Sequence, residues 1–286
     1  MIFKSIIYFI LKFFLKSFIR SLSLTTKIII FNIVIFILSS IVLAIKPEWI
    51  IYLGIKPSLI LQGKTLWTLF TSMFIHASFF HLFVNMFSLY FVGKFVEQII
   101  GKKRFFWFYI IAGILGSIFF SLLAGFFGYG ILQGVFGSSE IVGVGASGAI
   151  FGLLGLLAVL TPRKKIYLIA GPLIALILEF TLFAFIKNEN LLSILIILVN
   201  IYFFIAIFAM FSPFKKIAVP IEMSLWVLPI VAIVPLVVIG LFISLPIGNM
   251  AHLGGLVAGL IYGFYLRSKY KKKVYLLNRM FGVEDE

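Results

Sequence analysis

Two side chains able to carry out acid–base chemistry together stand out in a chain that is mostly apolar. Ser147 lies in the stretch GVGASGAIFGLLG, and His252 lies in the stretch GNMAHLGGLVAGLIYG. A serine hydroxyl within hydrogen-bonding reach of an imidazole is an activated nucleophile, with the imidazole as general base. Taken singly, Ser147 is more often a packing serine and His252 a buried structural histidine. A catalytic interpretation therefore depends on whether the fold brings them together.

The composition places these residues in a membrane protein. Of 286 residues, 63% are hydrophobic and only 12% are charged, with a mean hydropathy of +1.23. Soluble domains carry about 25% charged residues, and bilayer-spanning helices need about 20 mainly apolar residues each. The net charge of +15 does not indicate nucleic-acid binding, because the Lys and Arg residues lie in short turns between apolar segments, where they contact lipid headgroups. Without Cys, disulfides and thiolate metal sites are excluded.

The apolar runs predict an all-α, polytopic bundle of eight membrane-spanning helices. A connection over residues 46–79 is too interrupted to span and too apolar for water, which predicts an interfacial or re-entrant segment. The predicted spans are 28–45, 80–100, 105–125, 146–161, 166–186, 191–212, 224–244 and 249–267.

The basic residues predict the orientation and the ends of the membrane domain. With both termini in the cytoplasm, 20 of the 24 Lys and Arg residues lie on the cytoplasmic side, as the positive-inside rule requires. No cleavable signal peptide is apparent. Residues 1–22 are expected to form a basic amphipathic interfacial helix or a disordered leader, residues 23–270 the membrane domain, and residues 271–286 a charged cytoplasmic tail. A multi-pass protein of a prokaryotic cell membrane is expected.

A depth comparison singles out three polar residues. Ser147, His252 and Asn85 precede the cytoplasmic basic residues of their helices by 16, 15 and 17 positions, respectively. At about 1.5 Å per residue, all three lie roughly 22–26 Å above the cytoplasmic boundary. The hydrocarbon core is about 30 Å thick, so they share one plane near the outer face. Polar groups at this depth are usually functional.

Small residues at helical spacing accompany both the serine and the histidine. Such stripes let membrane helices approach at backbone contact, although they also occur in ordinary helix packing. The stripes are Gly148, Gly152 and Gly155 beside the serine, and Ala251, Gly255, Gly259 and Gly263 beside the histidine.

Three motifs together resemble the rhomboid family of intramembrane serine proteases. They follow the family's order, contain every histidine of the chain, and cover roughly residues 28–165 and 217–267. The motifs are His76, His81 and Asn85 in FIHASFFHLFVNMF, then Gly145-Ala146-Ser147-Gly148, then Ala251-His252 with Gly255 and Gly259.

The resemblance implies a catalytic dyad. Ser147 would attack the scissile carbonyl and His252 would take its proton, while His81 and Asn85 would donate hydrogen bonds to the oxyanion. An Asp-containing triad is not possible within the membrane, since no Asp precedes Asp285. The residues implied to have structural roles beside the site are His76, Gly145, Gly148, Phe151, Gly255 and Gly259.

Three departures from the family pattern are expected to matter. The family's Trp-Arg pair in the first loop reads Trp67-Thr68, and a position that is often Tyr is Phe151, which can still stack on His252. Residues 166–212 form a two-helix insertion in a six-helix core, with Glu179 and Asn200 positioned to pair with each other. The inserted helices would either occupy the lateral gate through which substrate enters or pack behind the bundle.

The predicted function is an endopeptidase that cleaves single-span membrane proteins within the lipid bilayer near its outer face, without metal or cofactor. Two alternatives remain. One is a non-proteolytic rhomboid relative that binds membrane helices. The other is a transporter, which is suggested by the eight spans and by Glu179. Two further charged residues, Lys94 and Glu97, do not add to this alternative, because they lie three residues apart and are expected to pair with each other.

Overall fold

The computed structural model of the chain describes residues 21–242 and 248–281. Its long helices are α1 (Leu24–Ile45), α2 (Phe79–Ile100), α3 (Lys102–Phe127), α4 (Ser147–Leu160), α5 (Ala170–Phe185), α6 (Glu189–Ala209), α7 (Leu228–Gly240), α8 (Asn249–Lys269) and α9 (Lys271–Met280). Short helical segments occupy Pro47–Trp49, Ile50–Leu53, Pro57–Leu61, Thr68–Thr71, Ser72–Phe74, Gly130–Leu132, Gln133–Phe136, Lys215–Ala218 and Leu225–Val227.

Each of the eight predicted spans overlaps one of the helices α1 to α8, which confirms a polytopic helical bundle. By length and composition, α1, α2, α3 and α6 can each cross a membrane, while α4 and α7 are shorter apolar helices. The connection between α1 and α2 contains only short helical segments among its described residues, so no helix of spanning length forms there.

The fifth span, predicted over residues 166–186, begins later than predicted. Residues Lys165–Ile169 form strand β1, which pairs antiparallel with strand β2 (Pro220–Ser224), so the helix begins only at Ala170. In β1 the side chains alternate between exposed and half-buried at the first four positions, a period of two that suits a strand. This small sheet joins the two ends of the insertion, since β1 precedes α5 and β2 follows α6.

The core of the bundle is the serine helix α4, which packs between α3, α8 and α2. Leu153 and Leu156 of α4 are fully buried, and so are Phe105 and Tyr109 of α3. By contrast, α1 exposes much of its apolar surface, as expected of a helix that faces lipid.

Glu97 of α2 binds the start of α1 rather than Lys94. Its carboxylate accepts hydrogen bonds from the Leu24 amide at 2.9 Å, the Thr25 amide at 2.8 Å and the Thr25 hydroxyl at 2.7 Å. The Lys94 ammonium instead lies 3.9 Å from the centre of the Tyr90 ring. The predicted local pair was therefore wrong, because the unsatisfied amides of a helix N-terminus bind the carboxylate instead.

The inserted helix α6 packs on the outer face of α2 through aromatic rings. The ring of Phe80 lies 4.5 Å from that of Phe203, and the ring of Phe83 lies 5.1 Å from that of Phe204. The Asn200 side chain donates to the Ile196 carbonyl of its own helix at 2.9 Å. The Glu179 side chain, its predicted partner, lies outside the described part of the structure.

The last described helix, α9, folds back beneath the serine helix. Asn278 donates to the Leu160 carbonyl at the end of α4 at 2.9 Å, and Val274 is buried. The Lys164 ammonium lies 3.5 Å from the centre of the Phe95 ring and 4.0 Å from that of Phe281. The expected interfacial helix over residues 1–22 falls almost wholly on residues 1–20, outside the described residues.

Candidate active site

Ser147 and His252 meet at the ends of two packed helices. Ser147 is the first residue of α4, and His252 lies in the first turn of α8. The Ser147 Oγ is 2.8 Å from His252 Nε2, a hydrogen-bond distance, although 105 residues separate the two in sequence. His252 is buried and Ser147 is half-buried. This is the geometry that a serine nucleophile and its general base require.

Glycines allow this approach. A Cβ added at Gly255 would collide with the Gly148 carbonyl oxygen, and one added at Gly259 would collide with the Gly152 carbonyl oxygen. Helices α4 and α8 are therefore in backbone contact on the face that carries the dyad.

A third helix joins this junction through Gly116 of α3. A Cβ there would lie 2.8 Å from the Ala251 carbonyl oxygen and 3.4 Å from the Gly148 Cα. Sequence reasoning missed this residue. The small residues Ala112 and Gly116, one helical turn apart on α3, were the signal that could have indicated it.

The imidazole of His252 is held by stacking. The ring of Phe151 lies parallel to it, with 4.3 Å between centroids and an interplanar angle of 14°. His252 Nδ1 is buried and has no hydrogen-bond partner among the described residues. If Nε2 accepts the serine proton, the neutral ring must carry its own hydrogen on Nδ1. In a catalytic triad a carboxylate would orient the imidazole through Nδ1. Among the described residues, the stacked ring of Phe151 is the contact that orients it.

His81 and Asn85 lie on one face of α2 and point towards the loop that precedes Ser147. A Cβ added at Gly145 would lie 2.8 Å from His81 Nε2 and 3.9 Å from Asn85 Nδ2. Gly145 has φ +122°, a conformation that favours glycine. Asn85 is buried, and its Nδ2 donates to the His81 carbonyl at 2.9 Å. Two side-chain donors therefore border the entrance to the serine helix.

His76 lies in the segment before α2 and is 5% exposed. Its ring is 5.2 Å from the His81 ring, in an edge-to-face arrangement. Neither ring nitrogen of His76 has a hydrogen-bond partner among the described residues. The structure thus packs His76 against His81, and no contact between His76 and the Ser147–His252 pair is seen among the described residues.

Backbone hydrogen bonds tie the loop before Ser147 to the connection between α1 and α2. The Gly145 amide donates to the Ser72 carbonyl at 2.9 Å, and Ile55 and Gly143 exchange hydrogen bonds at 2.9 and 2.8 Å. Sequence reasoning missed these contacts, since backbone groups leave no signal in residue type.

An ion pair between a half-buried lysine and an exposed glutamate joins the same two segments. Lys56 Nζ lies 2.8 Å from Glu140 Oε2. The pKa of Glu140 is below its ordinary value because the Lys56 and Ser58 side chains donate hydrogen bonds to its carboxylate.

Thr68 stands at the position where the rhomboid family has an arginine, and side-chain hydrogen bonds to backbone carbonyls stabilise this region instead. Thr68 is fully buried, and its hydroxyl donates to the Thr65 carbonyl at 2.7 Å. The indole nitrogen of Trp67 donates to the Tyr52 carbonyl at 2.9 Å, and the Thr71 hydroxyl donates to the Leu53 carbonyl at 2.9 Å. These contacts hold the connection without a guanidinium group.

Comparison with known proteins supports the resemblance. A family model described as Rhomboid domain matches residues 63–201 and 199–269. The chain is 34% identical to the rhomboid protease GluP of Bacillus subtilis over 125 residues, which is 43% of this chain and 22% of that protein.

Plant proteins also match. Identity is 33% over 111 residues with RHOMBOID-like protein 1 of Arabidopsis thaliana, covering 38% of this chain and 25% of that protein. It is 38% over 66 residues with Inactive RHOMBOID-like protein 8 of the same plant, covering 23% of this chain and 19% of that protein. The matched stretches thus span a quarter or less of these relatives. The family match extends over more than half of the chain, from the first connection to the end of α8, and on this ground the chain belongs to the rhomboid family.

Proposed function

We propose that the protein is an intramembrane serine endopeptidase that uses a Ser147–His252 dyad. The observation that carries this proposal is the 2.8 Å distance between Ser147 Oγ and His252 Nε2. Rhomboid membership alone leaves the activity open, because one similar plant protein is named inactive and a similar bacterial protein is named a protease.

The geometry supports a two-step acyl transfer. Ser147 Oγ attacks the scissile carbonyl carbon while His252 Nε2 accepts the hydroxyl proton. The tetrahedral intermediate then collapses, and the imidazolium returns that proton to the leaving amine. Water, activated by His252 in the same way, hydrolyses the acyl-enzyme and restores the serine.

We infer that three donors stabilise the negative charge that develops on the scissile carbonyl oxygen. The His81 and Asn85 side chains border the serine loop, and the Ser147 backbone amide lies at the N-terminus of α4. A helix N-terminus favours negative charge, and each preorganised donor of this kind contributes about 10²–10³ in rate.

The depth of the dyad points to cleavage near the outer face of the membrane. Helix α4 has 14 residues, so its length is roughly 21 Å from Ser147 to its cytoplasmic end. The distribution of basic residues favours a cytoplasmic position for both termini. The substrate is a single-span membrane protein whose helix must unwind locally, because intrahelical hydrogen bonds otherwise shield the peptide bond.

A non-proteolytic rhomboid that binds membrane helices is the second candidate. It is favoured by the similarity to a relative whose name includes the word inactive. It does not account for the hydrogen bond between a serine and a histidine at the bundle centre. The transporter alternative was suggested by Glu179, whose side chain lies outside the described part of the structure, and no cluster of His, Asp or Glu side chains that could hold a metal ion is found among the described residues.

Cleavage of a model single-span substrate in liposomes tests the proposal. The wild type is expected to cleave, while Ser147→Ala and His252→Ala lose cleavage and remain folded. A folded wild type that cleaves no substrate and does not react with a fluorophosphonate would favour the helix-binding alternative.

We also propose that α6 forms an outer wall of the path by which substrate reaches the dyad. Helix α2 carries His81 and Asn85 on its inner face and Phe80 on its outer face, where α6 contacts it. The lateral-gate hypothesis predicted that the inserted helices pack on both α2 and α7. Helix α6 packs on α2, but neither α5 nor α6 packs closely on α7 among the described residues, so the prediction holds for α2 and is wrong for α7.

Covalent linkage of α6 to α2 tests this wall. The chain has no Cys, so Phe80→Cys with Phe203→Cys introduces a unique pair for a short bismaleimide. Linkage is expected to slow cleavage of the single-span substrate while leaving fluorophosphonate labelling of Ser147 unchanged. The proposed role of α6 would be contradicted if linkage slowed cleavage and labelling equally, or if it slowed neither reaction.

A further inference from the structure

A basic cluster at the opposite end of the bundle from the dyad has no role in the proposed chemistry. The side chains of Arg104, Lys269 and Lys273 converge on the ring of Tyr270. The Arg104 Cζ lies 5.2 Å from the ring centre, and the two lysine Nζ atoms each lie 5.8 Å from it. Arg104 also donates to the Tyr270 hydroxyl at 3.1 Å. Three cations from α3, α8 and α9 therefore surround one aromatic ring.

No acidic side chain in the described part of the chain forms an ion pair with these three cations. The ion pair in the described part of the chain joins Lys56 to Glu140, at the other end of the bundle. Arg104, Lys269 and Lys273 are all exposed. Like charges held this close repel one another, and an anion among them would remove that repulsion.

The backbone at this point also favours an anion. Helix α3 begins at Lys102, and no side chain caps its N-terminus. The first amides of a helix lack intrahelical partners, and the helix dipole places partial positive charge there. Arg104 lies in this first turn, so the partial positive charge of the helix N-terminus adds to that of the guanidinium, whose carbon lies 5.2 Å from the Tyr270 ring centre.

The surrounding aromatic residues place the cluster at the membrane surface. The rings of Phe108 and Tyr262 stack at 4.8 Å, and those of Tyr262 and Tyr265 stack at 6.1 Å. Lys269 donates to the Tyr265 hydroxyl at 2.8 Å. Tyrosines and lysines at the end of a spanning helix are typical of the headgroup layer. An anion bound here would therefore be attached to a lipid.

We propose that Arg104, Lys269, Lys273 and the Tyr270 hydroxyl bind the phosphate group of an anionic phospholipid on the cytoplasmic leaflet. The guanidinium and hydroxyl donate hydrogen bonds to phosphate oxygens, the lysines supply charge, and the exposed ring of Tyr265 packs along the acyl chains. Because the site joins α3 to α8, a bound lipid stabilises the pair of helices that supports His252. This binding site is independent of the proteolytic proposal.

Thermal unfolding of the purified full chain in uncharged detergent tests the site. Added phosphatidylglycerol is expected to raise the unfolding temperature of the wild type increasingly with lipid concentration L, because a ligand that binds only the folded state stabilises it by RT ln(1 + L/Kd), whereas phosphatidylcholine does not. The variant Arg104→Gln/Lys269→Gln/Lys273→Gln should bind phosphatidylglycerol on the order of a hundredfold more weakly than the wild type, because each charge removed lowers the affinity about fivefold.

Two matched variants separate a site from general charge attraction. Lys165→Gln/Lys215→Gln/Lys216→Gln removes three exposed cations elsewhere on the proposed cytoplasmic side and should bind as the wild type does. Lys269→Arg/Lys273→Arg keeps the charge and should retain binding. Equal weakening in both neutralised triple variants would overturn the site. Equal stabilisation by inorganic phosphate alone would overturn the assignment to a lipid.

Discussion

Two helix interfaces of the bundle, one at the dyad and one on the outer face of α2, are built in opposite ways. Helices α4 and α8 meet through glycines, so that backbone touches backbone at Gly148 and Gly255. Helices α2 and α6 meet through large rings, with 4.5 Å between the centroids of Phe80 and Phe203. The first interface joins the two helices that carry Ser147 and His252, and the second involves α6, one of the two helices predicted to be inserted.

This difference indicates where the geometry of the site is fixed. A backbone contact has no rotamers, so the separation of α4 and α8 sets the Ser147–His252 distance directly. Ring contacts can rearrange by side-chain rotation, and lipid acyl chains can cover part of the apolar surface that the rings bury against each other. We therefore expect the reactivity of Ser147 to depend strongly on the glycine interface and weakly on the aromatic one.

The largest effect is expected from Gly255→Leu. The new side chain collides with the Gly148 carbonyl oxygen, which separates α4 from α8. Overpacking of this kind costs about 1–3 kcal/mol or more, and loss of a general base lowers rates by about 10²–10⁴. The rate of fluorophosphonate labelling at Ser147 should fall by at least about a hundredfold.

Gly248→Ala is the matched control for that variant. The nearest atom to its new Cβ is the Ala251 Cβ at 3.6 Å, an ordinary contact. Labelling should stay within about twofold of the wild type, as is usual for a change that creates no clash. If Gly255→Leu labelled as fast as Gly248→Ala, the glycine interface would not set the geometry of the dyad.

An intermediate effect is expected from Phe151→Ala, which removes the ring stacked on His252. Aromatic pairs contribute about 0.5–1.5 kcal/mol, which corresponds to roughly a 3–10-fold slower labelling of Ser147. Phe151→Tyr keeps the ring and should restore the wild-type rate. A Phe151→Ala rate equal to that of the wild type would mean that another contact orients the imidazole.

The smallest effect on Ser147 is expected from Phe203→Ala in the insertion. Phe203 is buried against α2, so its loss should lower the unfolding temperature; buried Phe→Ala changes cost about 3–5 kcal/mol in soluble cores. Labelling of Ser147 should nevertheless change less than about twofold, within the range of a distant substitution. Phe208→Ala, at a position that is 64% exposed, controls for the loss of a lipid-facing ring. A tenfold slower labelling in Phe203→Ala alone would show that the insertion positions the dyad.

The family and the bundle could be predicted from the sequence because both depend on residue types. Eight apolar runs produced helices, and the matched depths of Ser147 and His252 correspond to the hydrogen bond between them. Small residues at helical spacing predicted the close contact of α4 with α8. These signals persist in the sequence because membrane depth and backbone contact restrict which side chains fit.

Contacts between distant segments could not be predicted in the same way. Glu97 binds amides of Leu24 and Thr25, more than 70 residues earlier, whereas sequence reasoning paired it with its neighbour Lys94. Strand β1 was read as the start of a helix because a short apolar run fits either structure. The backbone bond between Gly145 and Ser72 depends on no side chain at all.

Identification of the residue modified by a fluorophosphonate tests the Ser147–His252 dyad most directly. The wild-type protein in liposomes would be labelled, digested and sequenced by mass spectrometry, beside His252→Ala and Ser147→Ala. We predict an adduct on Ser147 in the wild type, a rate lower by about 10²–10⁴ in His252→Ala, and no adduct in Ser147→Ala. An adduct on another serine, or unchanged labelling of Ser147 without His252, would contradict the dyad.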